Sequence, residues 1–319
     1  MLTLKKKNTS ALAMAIFATT IFGTNAVALK IAVETMDPLL FASLRFLAVG
    51  IILLLFVKSF SYIRDKRVLR QMLINSLAIT VFVSFHALGV DQSGALKAAI
   101  FSLTTPVLIY IFSVSILHEP LIKRVMLGGI TSLVGSLLLI GLPAIMGQQL
   151  AQGDVFLLIA YAALAASIVH AKHLYRWVSP TQVLSTRFTL AGFALLAFVL
   201  ISSDLSTIAT GDFVAWSMLL YGIVITGVIG NSLYYRALKK IRAEDAAPVF
   251  YLDPMVGALG AALLLGERLE PGALIGMGII ILGVSLAHPH HNRLMHYYHT
   301  HAPRHPLGFL RNLIKSISN

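Results

Sequence analysis

An aspartate and a proline stand side by side within a long apolar segment, at Asp253 and Pro254. The segment begins near residue 243, so at about 1.5 Å per residue Asp253 lies about 15 Å deep, near the midplane of a hydrocarbon layer about 30 Å thick. A charge at that depth costs at least ~2.5 kcal/mol and therefore faces protein or water. Asp253 is predicted to bind a cation or to titrate. The alternative is a packing kink in which Asp253 is hydrogen-bonded to a neighbouring helix.

A second proline interrupts an earlier apolar segment at Thr105-Pro106, and Pro106 lies 148 residues before Pro254. Proline has no N–H and its ring clashes with the carbonyl four residues earlier, so each segment contains a helix break and a free backbone acceptor. Broken helices that meet near the midplane commonly form binding sites in transporters. Thr105 and the two prolines are therefore candidates for one shared site, with simple packing kinks as the alternative.

Other polar side chains occur in the same and neighbouring apolar segments, at Tyr251, Asn231, Tyr234 and His86. Tyrosine offers an apolar face and a hydroxyl group, which suits an amphipathic organic substrate. Tyrosines are also common at membrane interfaces, and His86 is either a group that titrates near neutral pH or a neutral, hydrogen-bonded residue. We expect these four to line the substrate site with Asp253 and Thr105.

Two further pairs of charged residues repeat along the chain. Glu119 and Glu267 are 148 residues apart, and each lies at the predicted end of a helix, where it is either a cap or a gate residue. Arg45 and Arg187 are 142 residues apart and lie within apolar segments. We expect these arginines to tie helix ends to backbone carbonyls or acids.

The elements that carry these residues are predicted membrane spans. Of the 319 residues, 57% are hydrophobic and only 12% are charged, about half the charged fraction of a soluble domain. A span needs about 20 apolar residues, and the chain has room for ten and for no separate soluble domain. The predicted spans are roughly 11–33, 38–57, 70–90, 94–117, 124–142, 153–171, 180–202, 213–235, 243–265 and 271–287.

The chain has a net charge of +12, and most of its Lys and Arg residues lie in alternate connections between the spans. Cytoplasmic loops hold an excess of Lys and Arg, so the bias predicts that both termini are cytoplasmic and argues against nucleic acid as the partner. Lys30, Lys97 and Arg268 are the exceptions on the other side. The basic residues assigned to the inside are Lys5–Lys7, Lys58, Arg64, Lys66, Arg67, Arg70, Lys123, Arg124, Lys172, Arg176, Arg236, Lys239, Lys240, Arg242, Arg293, Arg304, Arg311 and Lys315.

The chain repeats itself, with one copy at 10–142 and the other at 153–287. Each copy holds five predicted spans, and an odd number of spans places the second copy upside down in the membrane. The fold predicted is therefore an all-α integral membrane protein with ten transmembrane helices in two inverted five-helix repeats. The matched positions include Lys30 and Lys172, Pro38 and Pro180, Gly50 and Gly192, Gly128 and Gly276, and Gly135 and Gly283.

Residues 288–319 form a tail of different composition, with seven of the eleven histidines. Imidazoles can bind Zn, Cu or Ni, but the tail has no defined ligand spacing and the chain has no cysteine, so no metal site or cofactor is predicted. A short amphipathic helix on the inner leaflet is expected from the spacing of Leu310, Leu313, Ile314 and Ile317.

Several short motifs occur in a fixed order along the chain, and many of them are doubled at the offsets between the two copies. They are Phe22-Gly23-Thr24-Asn25, Arg45-Phe46, Thr105-Pro106, His118-Glu119-Pro120, Gly128, Gly135, Leu252-Asp253-Pro254, Gly266-Glu267-Arg268-Leu269, Gly276 and Gly283. Together they resemble the EamA family of the drug/metabolite transporter superfamily. The resemblance implies ten helices in two inverted repeats, a central cavity, and export or exchange of small, often amino-acid-like metabolites. His118-Glu119 and Asp253-Pro254 replace the Gly-Glu and Glu-Pro that are frequent in the family.

The function predicted is secondary transport of small organic metabolites, by alternating access around a midplane cavity in the inner membrane of a bacterium. No Gly-x-x-x-x-Gly-Lys-Ser/Thr phosphate loop occurs, so the energy would come from a proton, another ion or the substrate itself. One alternative is a metal-ion transporter fed by the histidine tail. Another is an intramembrane enzyme, although no His-Glu-x-x-His or Gly-x-Ser-x-Gly motif occurs. The oligomeric state is left open.

Deletion of residues 289–319 is expected to leave transport by the core largely intact, because both copies are complete by about residue 287. The measurement is flux in proteoliposomes for this truncation and for a variant in which the seven tail histidines are replaced, each with and without a chelator. Loss of flux in both variants, relieved or induced by metal, would show that the tail takes part in transport.

Overall fold

The computed structural model of the chain describes residues 2–119, 122–141, 151–202, 211–265 and 271–287, and the elements in these ranges are helices. The α-helices are α1 Leu2–Ala32, α2 Pro38–Leu54, α3 Lys66–Ser102, α4 Thr104–Phe112, α5 Lys123–Ile140, α6 Gln152–Leu174, α7 Pro180–Ser202, α8 Phe213–Tyr221, α9 Asn231–Lys240, α10 Ala243–Ala246, α11 Leu252–Leu265 and α12 Pro271–Ala287. Two 3₁₀ helices, Ser61–Ile63 and Ala247–Tyr251, and two π-helical segments, Ser113–Leu117 and Gly222–Gly230, connect some of them.

The lengths and composition of these helices match a membrane protein. Seven helical stretches in the described ranges are long and apolar enough to cross a membrane, and α2 and α12 are shorter apolar helices. The predicted all-α membrane fold is therefore confirmed. The ninth predicted span is divided among α10, a 3₁₀ helix and α11, so the count of ten spans stays a prediction. The tail at 288–319 lies outside the described residues.

The connection between the third and fourth predicted spans is itself helical. Residues 91–93 continue the helical backbone of α3, and the apolar stretches on either side, Lys66–Gly89 and Lys97–Leu117, are each long enough to cross a membrane. Ser93 bonds to Asp154 of α6, which holds this stretch against the neighbouring helix. Phe82 and Phe101 both pack against the cluster around Tyr161, so the chain returns past the same point of α6.

Aspartates start several helices. The Asp37 carboxylate accepts the backbone N–H groups of Leu39 and Leu40 at 2.9 Å and caps α2, and Asp65 caps α3 in the same way. Asp212 caps α8 through Ala215 N–H at 2.8 Å and also accepts the Thr35 hydroxyl at 3.0 Å. These bonds satisfy N–H groups that have no partner within the helix, and a negative charge is favoured at a helix N-terminus.

Helices α5 and α12 cross at two pairs of glycines. A Cβ atom added to Gly128 would lie 2.5 Å from the Gly283 carbonyl oxygen, and one added to Gly135 would lie 2.7 Å from that of Gly276. Halfway between, the Ser132 hydroxyl reaches the Ile280 carbonyl at 3.4 Å. Ser132 and Ile280 are 148 residues apart, so the two copies of one position meet each other.

Helices α2 and α7 make the same kind of reciprocal contact. A Cβ atom on Gly50 would overlap the backbone of Thr189, and one on Gly192 would overlap the backbone of Leu47. The rings of Phe46 and Phe188 pack with their centroids 5.3 Å apart. In both helix pairs the residues run in opposite directions and exchange partners between the copies, which is the pattern that a twofold axis perpendicular to the helices imposes.

The Lys- and Arg-rich connections meet at one end of the bundle, which is called the basic end below. There the Gln182 amide donates to the Ser59 carbonyl at 2.8 Å, and the Arg67 guanidinium lies over the Trp177 ring at 5.8 Å. The capping residue Asp212 and its partner Thr35 lie at the opposite end. The helices thus present basic groups at one face of the bundle and few at the other.

The close glycine crossing generates a stability prediction. Replacement of Gly135 by Val should destabilise the protein by about 1–3 kcal/mol, because the new Cβ meets the backbone of Gly276 and Ile280, which cannot rotate away. The control is Gly278→Val on α12, where an added Cβ finds nothing within 4 Å. Thermal unfolding of the purified protein in detergent should show a lower Tm only for Gly135→Val. Equal Tm values for the two variants would mean that the crossing is loose.

Candidate functional site

The ninth predicted span is broken at the place where Asp253 stands. The 3₁₀ helix Ala247–Tyr251 leads into α11, and Asp253 and Pro254 occupy its first turn. A Cβ atom on Gly23 would lie 2.7 Å from the Asp253 carbonyl oxygen, so α1 packs closely against this turn. Asp253 is half-buried, and its carboxylate makes no hydrogen bond or ion pair with the described residues. It thus remains the candidate for binding a cation or for titration.

The break in the fourth span lies directly against the break in the ninth. Helix α4 begins at Thr104 after an interruption at Leu103, and Thr105 and Pro106 are buried in its first turn. The Tyr251 hydroxyl points to the Leu103 carbonyl at 3.5 Å, and these two residues are 148 positions apart. The structure therefore brings the two predicted breaks together, and Tyr251 itself is buried at their contact.

Tyr234 and Asn231 lie on α9, directly after the π-helical segment Gly222–Gly230, which is called the π segment below. The Tyr234 ring packs among Phe22, Tyr235 and Phe250, with centroids 6.1, 5.2 and 5.1 Å away. Its hydroxyl is buried and has no hydrogen-bond partner among the described residues. Asn231 donates to the Thr226 carbonyl at 3.0 Å and so satisfies a backbone group within the π segment. Such segments are frequent at functional sites.

An aromatic cluster on α3 and α6 contains His86. The centroid of the imidazole lies 5.6 Å from that of Tyr161 and 5.4 Å from that of Phe82. Asp253 is close enough to Tyr161 to interact with it electrostatically, which places Tyr161 near the broken helix. Tyr161 was not among the predicted site residues, because no motif or repeated position marks it in the sequence.

The two arginines bind neutral groups within the bundle. Arg45 donates to the Gly222 carbonyl at 3.2 Å and to the Thr226 hydroxyl at 2.9 Å, which ties α2 to the π segment. Arg187 is almost fully buried and donates to the Tyr235 hydroxyl at 2.8 Å. These contacts match the structural role expected for the pair, although Arg187 binds side-chain hydroxyls and not backbone carbonyls.

Charged residues gather at the basic end, and most of them were not predicted. Lys172 donates to the carbonyls of Leu238, at 2.7 Å, and Ile241, while Arg242 pairs with the buried carboxylate of Glu244. Asp245 is also buried there. No motif or repeated spacing in the sequence distinguishes Glu244 and Asp245 from other acidic residues at the start of a helix. Glu267, the predicted counterpart of Glu119, lies outside the described residues.

Glu119 belongs to the same group of charges. Backbone N–H groups of Ala243 and Glu244 face its carboxylate. Burial raises the pKa of Glu119 above its usual value, and the positive charges of Arg242 and Lys172 oppose that rise. A cavity of about 270 Å³ opens beside it, lined by Leu117, Glu119, Lys172, Tyr175, Arg176 and Lys239.

The opposite end holds a buried ion pair of its own. Lys97 lies 2.9 Å from Asp154, with only 9% and 6% of the two side chains exposed. Asp154 also accepts the Ser93 hydroxyl at 2.7 Å and the Ala151 N–H at 2.8 Å. The pair joins α3 to the first turn of α6, so both ends of the bundle are closed by charged contacts between helices.

Metal ligands are not grouped in the described ranges. No set of three or more His, Cys, Asp or Glu side chains there is placed to hold a metal ion. The seven histidines of the tail at 288–319 lie outside those ranges.

A solved crystal structure shares the fold, with a TM-score of 0.71 at 16% identity over 87% of this chain and 98% of that one. The chain is 26% identical over 289 residues to the uncharacterized transporter YetK of Bacillus subtilis, covering 88% of this chain and 87% of YetK. It is 27% identical over 282 residues to a probable amino-acid metabolite efflux pump of Salmonella typhimurium, covering 85% and 92%. The protein of that name from Escherichia coli is 25% identical over 283 residues, covering 85% and 92%.

The model of one protein family matches the chain twice, at residues 9–141 and at residues 151–287. The two matches cover nearly all of the described helices and include both helix breaks. With this match across the chain, and with the relatives named as transporters or efflux pumps, the chain belongs to the EamA-like transporter family.

Proposed function

We propose that this protein is a secondary transporter that exports small organic metabolites with an amino-acid-like group. The observation that carries the proposal is the contact between the two helix breaks, with Tyr251 at 3.5 Å from Leu103 and the Asp253 carboxylate beside it. Non-helical backbone at membrane depth is tolerated only where protein or a water-filled cavity surrounds it. Breaks that meet at the interface of two repeats are a common place for a transported solute to bind.

The site offers groups that complement an organic cation or an ammonium group. Asp253 supplies a negative charge that no described residue neutralises. Tyr161 interacts with this carboxylate, and the rings of His86 and Phe82 pack against Tyr161. A carboxylate and aromatic faces both attract a positive charge. The names of the Salmonella and Escherichia relatives refer to amino-acid metabolites, which carry an ammonium group, and this supports the assignment of the substrate class and of export as the direction.

Access to this site from either side requires that a charged closure opens. At the basic end the closure consists of Glu119, Lys172, Arg242 and Glu244, and at the other end it is Lys97 with Asp154. We infer that these contacts open in alternation while the reciprocal glycine contacts of α5 with α12 and of α2 with α7 stay closed. Those antiparallel contacts support an inverted arrangement of the two repeats.

Replacement of Asp253 by Asn should preserve folding and reduce transport about tenfold or more, because a hydrogen bond to a charged group contributes about 1.5–3 kcal/mol. The measurement is efflux or counterflow of radiolabelled amino acids and related amines in proteoliposomes, at matched protein density. The control is Asp65→Asn at the start of α3, where asparagine caps a helix as well as aspartate does. Transport by Asp253→Asn at the rate of this control would remove Asp253 from the site.

The orientation follows from the placement of the basic residues: the basic end is cytoplasmic, as are both termini. Single cysteines can be introduced into this cysteine-free chain and tested with a membrane-impermeant thiol reagent applied to whole cells. A cysteine at position 149 should be labelled from outside, and one at position 66 only after the membrane is made permeable. Labelling of the cysteine at 66 in intact cells, with none at 149, would reverse the orientation.

A further inference from the structure

The basic-end cavity is separate from the site between the helix breaks. It lies where α6, α9 and the end of the π-helical segment Ser113–Leu117 come together, and its volume is about 270 Å³. A water molecule occupies about 30 Å³ in the liquid, so the cavity has room for a small organic molecule. Three of its six lining residues are basic, one is acidic and one is a tyrosine.

Acidic and basic side chains lie at different depths in the cavity. Glu119 is half-buried, and the buried carboxylates of Glu244 and Asp245 lie close enough to interact with it. Arg176 and Lys239 are exposed at the rim. Lys172 is already bound to the carbonyls of Leu238 and Ile241. Lys172 and Arg242 balance two of the three carboxylates, so the inner part of the cavity keeps one negative charge and favours a positive group, while the rim favours a negative one.

Two buried polar atoms of the lining have no partner in the described chain. One is Oε2 of Glu119 and the other is the hydroxyl of Tyr175. Buried polar atoms are usually hydrogen-bonded, and an unpaired one costs about 1–3 kcal/mol. A ligand with a donor for the carboxylate and an acceptor for the hydroxyl satisfies both.

We propose that the basic-end cavity is a binding site for a zwitterionic α-amino acid, whose ammonium group binds Glu119 and whose carboxylate binds Tyr175, Lys239 and Arg176. A molecule with only one of the two charges leaves either Glu119 or the rim cations without an oppositely charged partner. The site would hold the substrate at the basic end before it reaches Asp253. In this respect the proposal rests on the proposed transport function.

The test begins with the purified full-length chain and the twenty standard amino acids, with binding measured by isothermal titration calorimetry. Asp253→Asn is used as the background, so that the site between the helix breaks is disabled. The best-binding amino acid is then compared with the amine that lacks its carboxylate and with the acid that lacks its amino group. At least one amino acid should bind, and each analogue should bind about tenfold or more weakly than it.

Two variants assign the binding to this cavity. Glu119→Gln should abolish the preference for the amino acid over the acid that lacks the amino group. Lys239→Gln should weaken the binding of the amino acid and of that acid to the same extent, while the binding of the amine stays unchanged. The control is Lys240→Gln, an exposed neighbour that does not line the cavity. Because Lys239 is exposed, its variant is expected to fold, and it decides the question if Glu119→Gln does not.

Three results would overturn the proposal. The first is that no amino acid binds, and the second is that the single-charge analogues bind as tightly as the amino acid. The third is that Lys239→Gln and Lys240→Gln bind the amino acid with the same affinity. Each of these results leaves the proposed function standing if Asp253→Asn still reduces flux about tenfold or more relative to Asp65→Asn. Conversely, binding that depends on Lys239 together with no flux of any tested metabolite would retain the cavity site and remove the transport function.

Discussion

Hydrocarbon cannot hydrogen-bond to a peptide group, and this constraint explains where the chain is regular and where it is not. A span must satisfy its own N–H and C=O groups, so nearly all of the described chain is helical. The departures from regular α-helix within the bundle include the interruptions at Leu103 and Ala247–Tyr251 and the π-helical segments Ser113–Leu117 and Gly222–Gly230. The first two lie against each other, and carbonyls of the Gly222–Gly230 segment accept hydrogen bonds from Arg45 and Asn231. The same physics that forbids breaks on the lipid side concentrates polar backbone at the centre.

Close approach of helices in lipid depends on small residues, because apolar side chains gain little by leaving one apolar medium for another. The crossings at Gly128 with Gly283 and at Gly50 with Thr189 bring backbones into direct contact. These reciprocal contacts join α5 to α12 and α2 to α7. Helices α1, α3, α4, α6 and the segment from α8 to α11 carry buried hydroxyls, amides and charges, together with further close glycine contacts such as that of Gly23 with Asp253.

Buried charge in this protein is compensated at the ends of the bundle and left open at its centre. Lys97 with Asp154, and Arg242 with Glu244, are ion pairs between or beside helix ends, where each partner offsets the cost of burying the other. Asp253 has no such partner in the described chain. A deep carboxylate without a protein partner is costly unless water or a ligand reaches it. The contrast distinguishes the ion pairs at the ends of the bundle from the group proposed above to bind the solute.

The sequence by itself determined the membrane fold, the repeated positions, the two proline breaks and the isolated carboxylate at Asp253, because apolar periodicity, proline chemistry and regular spacing are local properties of the chain. It did not determine that Tyr251 would lie against Leu103, that Tyr161 would face Asp253, or that Glu119 would meet Arg242 and Glu244. It placed a connection at 91–93 but did not determine that this connection is helical and is held against Asp154. These features join residues that are distant along the chain. Only the packing of the helices decides which of many polar side chains share a cavity, since each side chain's neighbours, and not its own type, set its charge environment and its unsatisfied hydrogen bonds.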